Sequence, residues 1–355
     1  MLKGVDKMDV KKILVTGGCG FVGTNLVKEL QKKYDIIALD NLSRETAIKN
    51  KQHIEQNFPS VKIINGDIRD SHLIRDVVEH CDFIIHCAAQ VAVTTSIENP
   101  TWDKEINIDG TLNILESARR AKNKPGIIYF STNKVYGNTI NSIPIKELES
   151  RYDFANEFKG KGIPETFSTD AHEHTPYGVS KYAAELYLRD YSKNFGLKTV
   201  SNRCSCMYGT QQYGTADQGW VAHFVISALL NKPITIYGNG KQIRDLLFMD
   251  DINNLILNQI ENIDEINGEV FNIGGGPSNT VSILELLNQI KEKQNLPKIS
   301  HSEWRLADQK VFYCDVSKAK RVLNWEPTVS AKEGIDRLYE WAKAALKNEN
   351  KFNLN

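Results

Sequence analysis

The 355-residue chain, 41% hydrophobic and 25% charged, has the size and balance of one large globular domain or two modest ones with a real core. Its 44 basic residues match 44 acidic ones, so no charge surplus points to nucleic acid or an anionic membrane surface. No apolar run approaches the length of a membrane span; residues 224–230 form one of the longest.

Residues 1–12 are charged and lack the apolar core of a secretory signal. They read as a short frayed extension, with Met8 as an alternative start. The first apolar run, residues 12–15, leads into Thr16-Gly17-Gly18-Cys19-Gly20-Phe21-Val22-Gly23 and a helical stretch over 20–32. Glycines at 17, 20 and 23 allow a tight turn, close approach of a pyrophosphate to backbone N–H groups, and close packing of the helix on the sheet. The helix N-terminus, with Phe21 and Val22, then faces the phosphate charge. A second run, 36–40, ends in Asp40, 23 residues beyond Gly17. A carboxylate there accepts from the adenine-ribose hydroxyls and repels the extra phosphate of NADP, so NAD is the expected cofactor. Asn41, Ser43 and Arg44 follow in the same loop, and Arg44 keeps NADP as the alternative.

Runs at 61–65 and 83–86 are followed by Gly66-Asp67-Ile68 and by Cys87-Ala88-Ala89-Gln90. Both fall at carboxyl ends of expected strands, where open α/β sheets bind ligands. Asp67 and Ile68 are expected to edge the adenine. Small residues at 87–89 let the backbone pass close to the cofactor. Asn107, in a helical stretch over 104–121, completes the cofactor candidates. A helix over 71–79 is also expected. The run 127–130 ends just before Thr132, placed to share a hydrogen bond with a substrate hydroxyl. The connection 138–175 is long and polar with few apolar anchors, and reads as a partly helical insertion near the active-site mouth.

Tyr177 and Lys181 stand four apart at the start of a helical stretch over 177–195, on one helix face. A tyrosine with its ordinary pKa near 10 is a poor base at neutral pH. Lys181 and a positive nicotinamide ring are expected to stabilise the phenolate and lower that value, making Tyr177 the proton acceptor in oxidation of an alcohol carbon. Lys181 also suits the nicotinamide ribose. A sixth run, 199–202, completes a pattern of continuously apolar strands alternating with helices. That pattern predicts an α/β fold: a Rossmann-type doubly wound parallel sheet.

After about residue 206 the rhythm changes. Residues 270–274 read as one more buried strand, and Ser282 with Glu285 and Ser330 with Glu333 as capping boxes before amphipathic helices. The expected division is a NAD-binding domain over 1–205 plus about 245–275. A smaller, mostly helical C-terminal substrate lobe takes 206–244 and 276–355. The six cysteines form no CxxC pair and read as free thiols in a reducing cytoplasm. No metal site is expected.

These motifs, in this order, resemble the nucleotide-sugar epimerases and dehydratases of the extended short-chain dehydrogenase/reductase superfamily, from Lys12 to about Trp341. The resemblance puts the catalytic Ser/Thr, Tyr and Lys on Thr132, Tyr177 and Lys181. Residues 238–245 are similar to the nucleotide-sugar segment, in which Arg244 grips the diphosphate. Arg305, three before Asp308, resembles the second diphosphate-binding Arg. The family's 4,6-dehydratases carry Asp-Glu directly after the catalytic Thr. This chain has Asn133-Lys134, which cannot shuttle a proton in that way, so dehydration is disfavoured. Residues 89–96, 131–137 and 217–220, and the long insertion, are similar instead to the group that inverts C2 of a CDP-sugar.

The implied substrate is a nucleotide-diphosphate sugar, a CDP-sugar being favoured. Its implied contacts are Gln90, Thr94, Thr132, Asn133, Tyr208, Gln218, Gly219, Arg244 and Arg305, with Thr95 and Ser96 as further sugar-pocket candidates. Tyr208-Gly209 matches a family turn, but Cys206 stands where an Asn is common. Two alternatives remain: a UDP-hexose 4-epimerase and a catalytically silent NAD-binding protein. The resemblance also implies a homodimer or homotetramer paired through the helices over 104–121 and 177–195.

Overall fold

In this computed structural model the described residues are 11–305 and 307–352. The extension at residues 1–10, with Met8, lies outside them. The apolar runs become seven strands of one sheet: β1 (Lys12–Thr16), β2 (Asp35–Asp40), β3 (Lys62–Asn65), β4 (Phe83–His86), β5 (Gly126–Thr132), β6 (Thr199–Cys204) and β7 (Glu269–Ile273). Their order is β7-β6-β5-β4-β1-β2-β3, and all pairings are parallel. Successive side chains on a strand point to opposite faces, and both faces are covered. Ile13, Val15, Ile36, Ala38, Ile128 and Phe130 enter one core, while Leu14, Ile37, Leu39, Ile127 and Tyr129 enter the other. The order reverses between β1 and β4, and the crevice beyond their carboxyl ends is where such sheets bind ligands.

The helix after β1, α1 (Phe21–Leu30), begins two residues earlier than its turn glycine Gly23, which lies in its first turn. The stretch expected as one helix over 104–121 is divided. Pro100–Lys104 is α-helical, Glu105–Asp109 is a π-helical turn, and Gly110–Arg120 resumes the α-helix. The long helix Pro176–Phe195 has Thr175 as its cap, its side chain accepting from the Gly178 N–H, and left-handed Gly196 at its end.

Beyond residue 205 the helices are joined by two small sheets that the sequence reading did not anticipate. Ile234–Tyr237 pairs with Ile299–Ser302. Ile243–Phe248 is flanked by Thr280–Ser282 and Val311–Phe312 and pairs further along with Cys206–Tyr208. Residues 243–248 therefore join the small sheet, and the chain returns to the large one only with Met249–Glu261 and β7. In the other direction, Ala319, Leu323 and Trp325 pack into a core of the large sheet, although they lie in the segment assigned to the lobe. Both departures arise because apolar side chains distant in sequence close these cores. The capping box at Ser282 and Glu285 is complete, and Ser330 Oγ accepts from the Glu333 N–H at 3.2 Å.

The insertion 138–175 corrects two expectations. Its described middle is an antiparallel hairpin, Ile145–Glu147 with Tyr152–Phe154, and helix is confined to the 3-10 segment Asn133–Ser142 at its start. It is also well anchored: Ile140, Ile143, Tyr152, Phe154 and Ile163 are buried with Phe312 and Tyr313 in a core of their own. Single aromatic and branched residues spaced among polar ones show no periodicity, so this core was not visible along the chain.

Candidate active site

At the carboxyl ends of β1, β2 and β4 opens a cavity of about 570 Å³. Glycine makes it possible. A Cβ on Gly17, at φ +65°, would lie 2.8 Å from the Ala88 nitrogen, and one on Gly23 would overlap the Gly17 carbonyl oxygen. Gly20 stands at the N-terminus of α1 without a side-chain cap. The first-turn N–H groups are thus left for a ligand, at the positive end of the helix.

The cofactor candidates converge here. Gly17, Gly20, Phe21, Val22 and Gly23 line the cavity from the first turn, and Asp40, Asn41, Ser43 and Arg44 from the second. Asp67 and Ile68 line it from the third, and Cys87, Ala88, Ala89 and Gln90 from the fourth. The Asp40 carboxylate accepts from the Cys19 N–H at 3.1 Å and the Leu42 N–H at 2.9 Å; burial raises its pKa against those bonds. Asp67 is held down to about 2 by Arg69, with Asn41 donating to it at 2.9 Å. Gln90 Oε1 is buried without a partner, an acceptor in want of a donor. An uncapped helix terminus, a glycine cradle, a carboxylate at the β2 end and an orphan acceptor fit a dinucleotide.

Asn107 does not line the cavity. From the π-helical turn its Oδ1 accepts from the Gln90 N–H at 2.9 Å. Its Nδ2 donates to Gln90 O at 3.0 Å, Asp103 Oδ1 at 3.1 Å and Ser180 Oγ at 3.0 Å. It therefore clamps the β4 loop to the Tyr177-bearing helix, and the extra backbone residue of the π turn is what aims it there. His86, which the sequence reading passed over, works similarly. Its ring bridges Thr16 Oγ1 (2.7 Å) and Thr111 Oγ1 (3.0 Å), and burial pushes its pKa down to about 3, keeping it neutral.

Thr132, Tyr177 and Lys181 line neither this cavity nor the second one. They are buried, 5%, 9% and 3% exposed, in the wall between them. Tyr177 is close enough to Thr132 for that hydroxyl to lower its pKa, and it feels the charge of Arg44 from the cofactor cavity. Their neighbours Lys134 and Pro176 line the second cavity, of about 660 Å³. The expected electrostatics need correction. Burial pushes the Tyr177 phenol up to about 12, and Lys181 is not among the groups that act on it most strongly. Burial likewise pulls Lys181 down to about 7, its Nζ 4.1 Å from the centre of the Tyr129 ring. Neither side chain has an ion-pair partner among the described residues, so desolvation wins at both. Phenolate formation then depends on positive charge brought to the wall from the cofactor side.

The substrate candidates divide. Arg305 lines the second cavity, its guanidinium 4.1 Å over the Tyr237 ring and donating to Ala216 O at 2.7 Å. Arg244 pairs at 2.5 Å with Asp308, a cavity residue. Asn133 donates to Gln309 Oε1 at 3.1 Å. Gln218 faces the first cavity instead, where Arg44 Nη1 donates to it. Thr94 lines neither cavity; helical phase turns Thr95 to the first and Ile97 to the second. Ser96 is buried with its hydroxyl on Val93 O. Tyr208 is a core residue, its hydroxyl donating to Ala331 O. Gly219, at φ +74°, caps the helix Trp220–Leu229 and leaves room for Gln212. Cys206 Sγ accepts from Trp220 Nε1 at 3.2 Å, and Cys206 lines neither cavity.

Residues 14–338 match the family profile described as GDP-mannose 4,6 dehydratase. CDP-paratose 2-epimerase of Salmonella typhi is 42% identical over 342 residues, covering 94% of this chain and 99% of its own. The chain belongs to the NAD-dependent epimerase/dehydratase family. Among solved structures, UDP-glucuronic acid 4-epimerase of Bacillus cereus, in complex with UDP-glucuronic acid and NAD, superposes with a TM-score of 0.77. It is 28% identical and covers 94% of this chain and 99% of its own. UDP-glucose 4-epimerase of Thermotoga maritima with UDP-glucose gives a TM-score of 0.77 at 29% identity, with the same coverages. The family's NAD-dependent chemistry on nucleotide sugars makes this chain an enzyme of that kind.

Proposed function

We propose that the protein is a nucleotide-sugar epimerase that inverts C2 of a CDP-paratose-like CDP-sugar. The observation that carries this reading is the buried Thr132–Tyr177–Lys181 group between two cavities, followed by Asn133-Lys134 in place of a carboxyl pair. The 42% identity to a CDP-paratose 2-epimerase favours C2 and CDP. Likeness to structures holding UDP-sugars favours a second reading, UDP-hexose 4-epimerisation by the same groups.

Bound NAD supplies a hydride acceptor that returns the hydride later, so the cofactor is regenerated. Tyr177, beside Thr132, accepts the proton of the hydroxyl on the carbon being oxidised and gives it back on reduction. Thr132 orients that hydroxyl. Lys181 holds the nicotinamide ribose and, when protonated, favours the phenolate. Arg244 and Arg305 grip the diphosphate, so remote binding keeps the keto-sugar in place while its other face turns to the cofactor. Gln90 and Asn133 meet the cofactor end and the sugar. We infer a cytoplasmic homodimer or homotetramer; exposed Val179, Leu186 and Tyr187 on one face of Pro176–Phe195 support pairing there.

Incubation with CDP-paratose, and separately with UDP-glucose, followed by NMR of the sugar, tests both readings. Epimer formed from CDP-paratose supports the first and from UDP-glucose the second. The Tyr177→Phe variant should lose about 10²–10⁴-fold in turnover while retaining NAD; unchanged activity would refute the assigned base.

A further inference from the structure

The second cavity holds a pair of donors that the mechanism above does not use. Lys134 Nζ donates to Gln309 Oε1 at 3.4 Å, and Asn133 Nδ2 donates to the same oxygen at 3.1 Å. Two donors on that oxygen fix the amide's orientation, and Gln309 Nε2 is left buried with no acceptor. Among the described residues Lys134 makes no ion pair. The nearby carboxylate, Asp308, accepts through Oδ1 from Arg244 at 2.5 Å and from the Gln309 N–H at 3.0 Å, and Lys134 feels its charge without a contact of its own. Lys134, whose ammonium makes no ion pair, and Gln309, whose amide nitrogen has no acceptor, thus line one cavity among the described residues. Both require oxygen acceptors.

Position says which oxygens. The Lys134 N–H donates to Thr132 Oγ1 at 3.2 Å, and Thr132 is close enough to Tyr177 to lower its pKa. The pair therefore sits on the reacting side of the cavity. The Arg305 guanidinium is tied instead to Ala216 O. Burial, with Arg244 nearby, pulls Lys134 down to about 8, so its charge is the more weakly held. Guanidinium forks suit a diphosphate, whereas a single weakened ammonium beside a neutral amide suits hydroxyl or ring oxygens.

We propose that Lys134 and Gln309 are specificity residues that hold the oxygens of the sugar ring, and not the diphosphate, against the Thr132–Tyr177 wall. This rests on the epimerase reading and names the part of the substrate that these residues recognise.

Calorimetric titration of NAD-loaded protein with CDP and with CDP-paratose tests it, using wild type, Lys134→Gln, Lys134→Arg and Gln309→Leu. The expected result is a loss of about 10- to 100-fold in CDP-paratose affinity for K134Q and Q309L. CDP affinity should move less than about twofold, and K134R should recover most of the loss. Retained NAD in each variant reports an intact fold. Equal weakening of both ligands would assign the pair to the diphosphate, and no weakening of either would remove it from the site; each overturns the proposal. Wild type that binds neither CDP nor CDP-paratose defeats the CDP-sugar reading itself. In that case UDP and UDP-glucose form the probe pair, with the same two overturning outcomes.

Discussion

Lys181 gives a prediction whose sign and size both follow from its surroundings. It is 3% exposed, its Nζ sits over the Tyr129 ring, and burial takes its pKa from 10.5 to about 7. At about 1.4 kcal/mol per pKa unit, the charged form costs the fold on the order of 5 kcal/mol. Between pH 7 and 10.5 the unfolded chain carries a proton at this site and the folded chain does not, so stability rises with pH in that window. Below pH 7 both states are protonated and the full cost persists. Methionine matches the lysine stem and suits the aromatic neighbour. Lys181→Met should therefore be inactive yet more stable than wild type at pH 7 and below. Its advantage should shrink by up to about 1.4 kcal/mol per pH unit above pH 7. Urea unfolding of nucleotide-free wild type and variant between pH 6.5 and 10 reads the difference directly, since other titrating groups cancel. A pH-independent difference, or a variant less stable at pH 7, would refute the reasoning.

Gly23→Ala would drive a Cβ into the Gly17 carbonyl oxygen; the variant should purify with little or no NAD, measured by absorbance after denaturation. Arg203→Met would leave Glu185, fully buried, with only Ser131 as a side-chain partner. About 3–5 kcal/mol of stability should be lost in urea unfolding, with part recovered in the Arg203→Met/Glu185→Leu double variant. Asp40→Ala removes the acceptor of two backbone N–H bonds and the candidate ribose ligand; NAD affinity should fall about tenfold or more and the preference over NADP should narrow, by competitive titration.

Much of the sheet was legible because buried parallel strands are continuous apolar runs, and residues 83–86 matched β4 from end to end. The cofactor cavity was legible for a related reason: its lining comes from short turns after those strands, so chain order alone gathers Gly17, Asp40, Asp67 and Cys87. The second cavity draws on residues far apart, such as Lys134 and Gln309, and its Asp308 pairs with Arg244, which lies behind it in sequence by more than sixty positions; no local pattern joins them. Adjacency was the available signal, since Lys134 follows Asn133 and Gln309 follows Asp308. Asn107 and Tyr208 were assigned to ligands because a polar residue near a motif looks the same whether it touches a ligand or braces a loop. The pKa directions at Tyr177 and Lys181 were missed because spacing reveals proximity, while desolvation depends on everything packed around the pair.

The hydrogen bond from Arg44 to Gln218 joins two loops that line the first cavity, and Asn25 fastens the second of these loops by donating to Thr210 O at 2.9 Å. Among the described residues, the two cavities share no lining side chain. On the proposed assignment of coenzyme to the first cavity and sugar nucleotide to the second, a substitution that reshapes one lining leaves the side chains of the other in place.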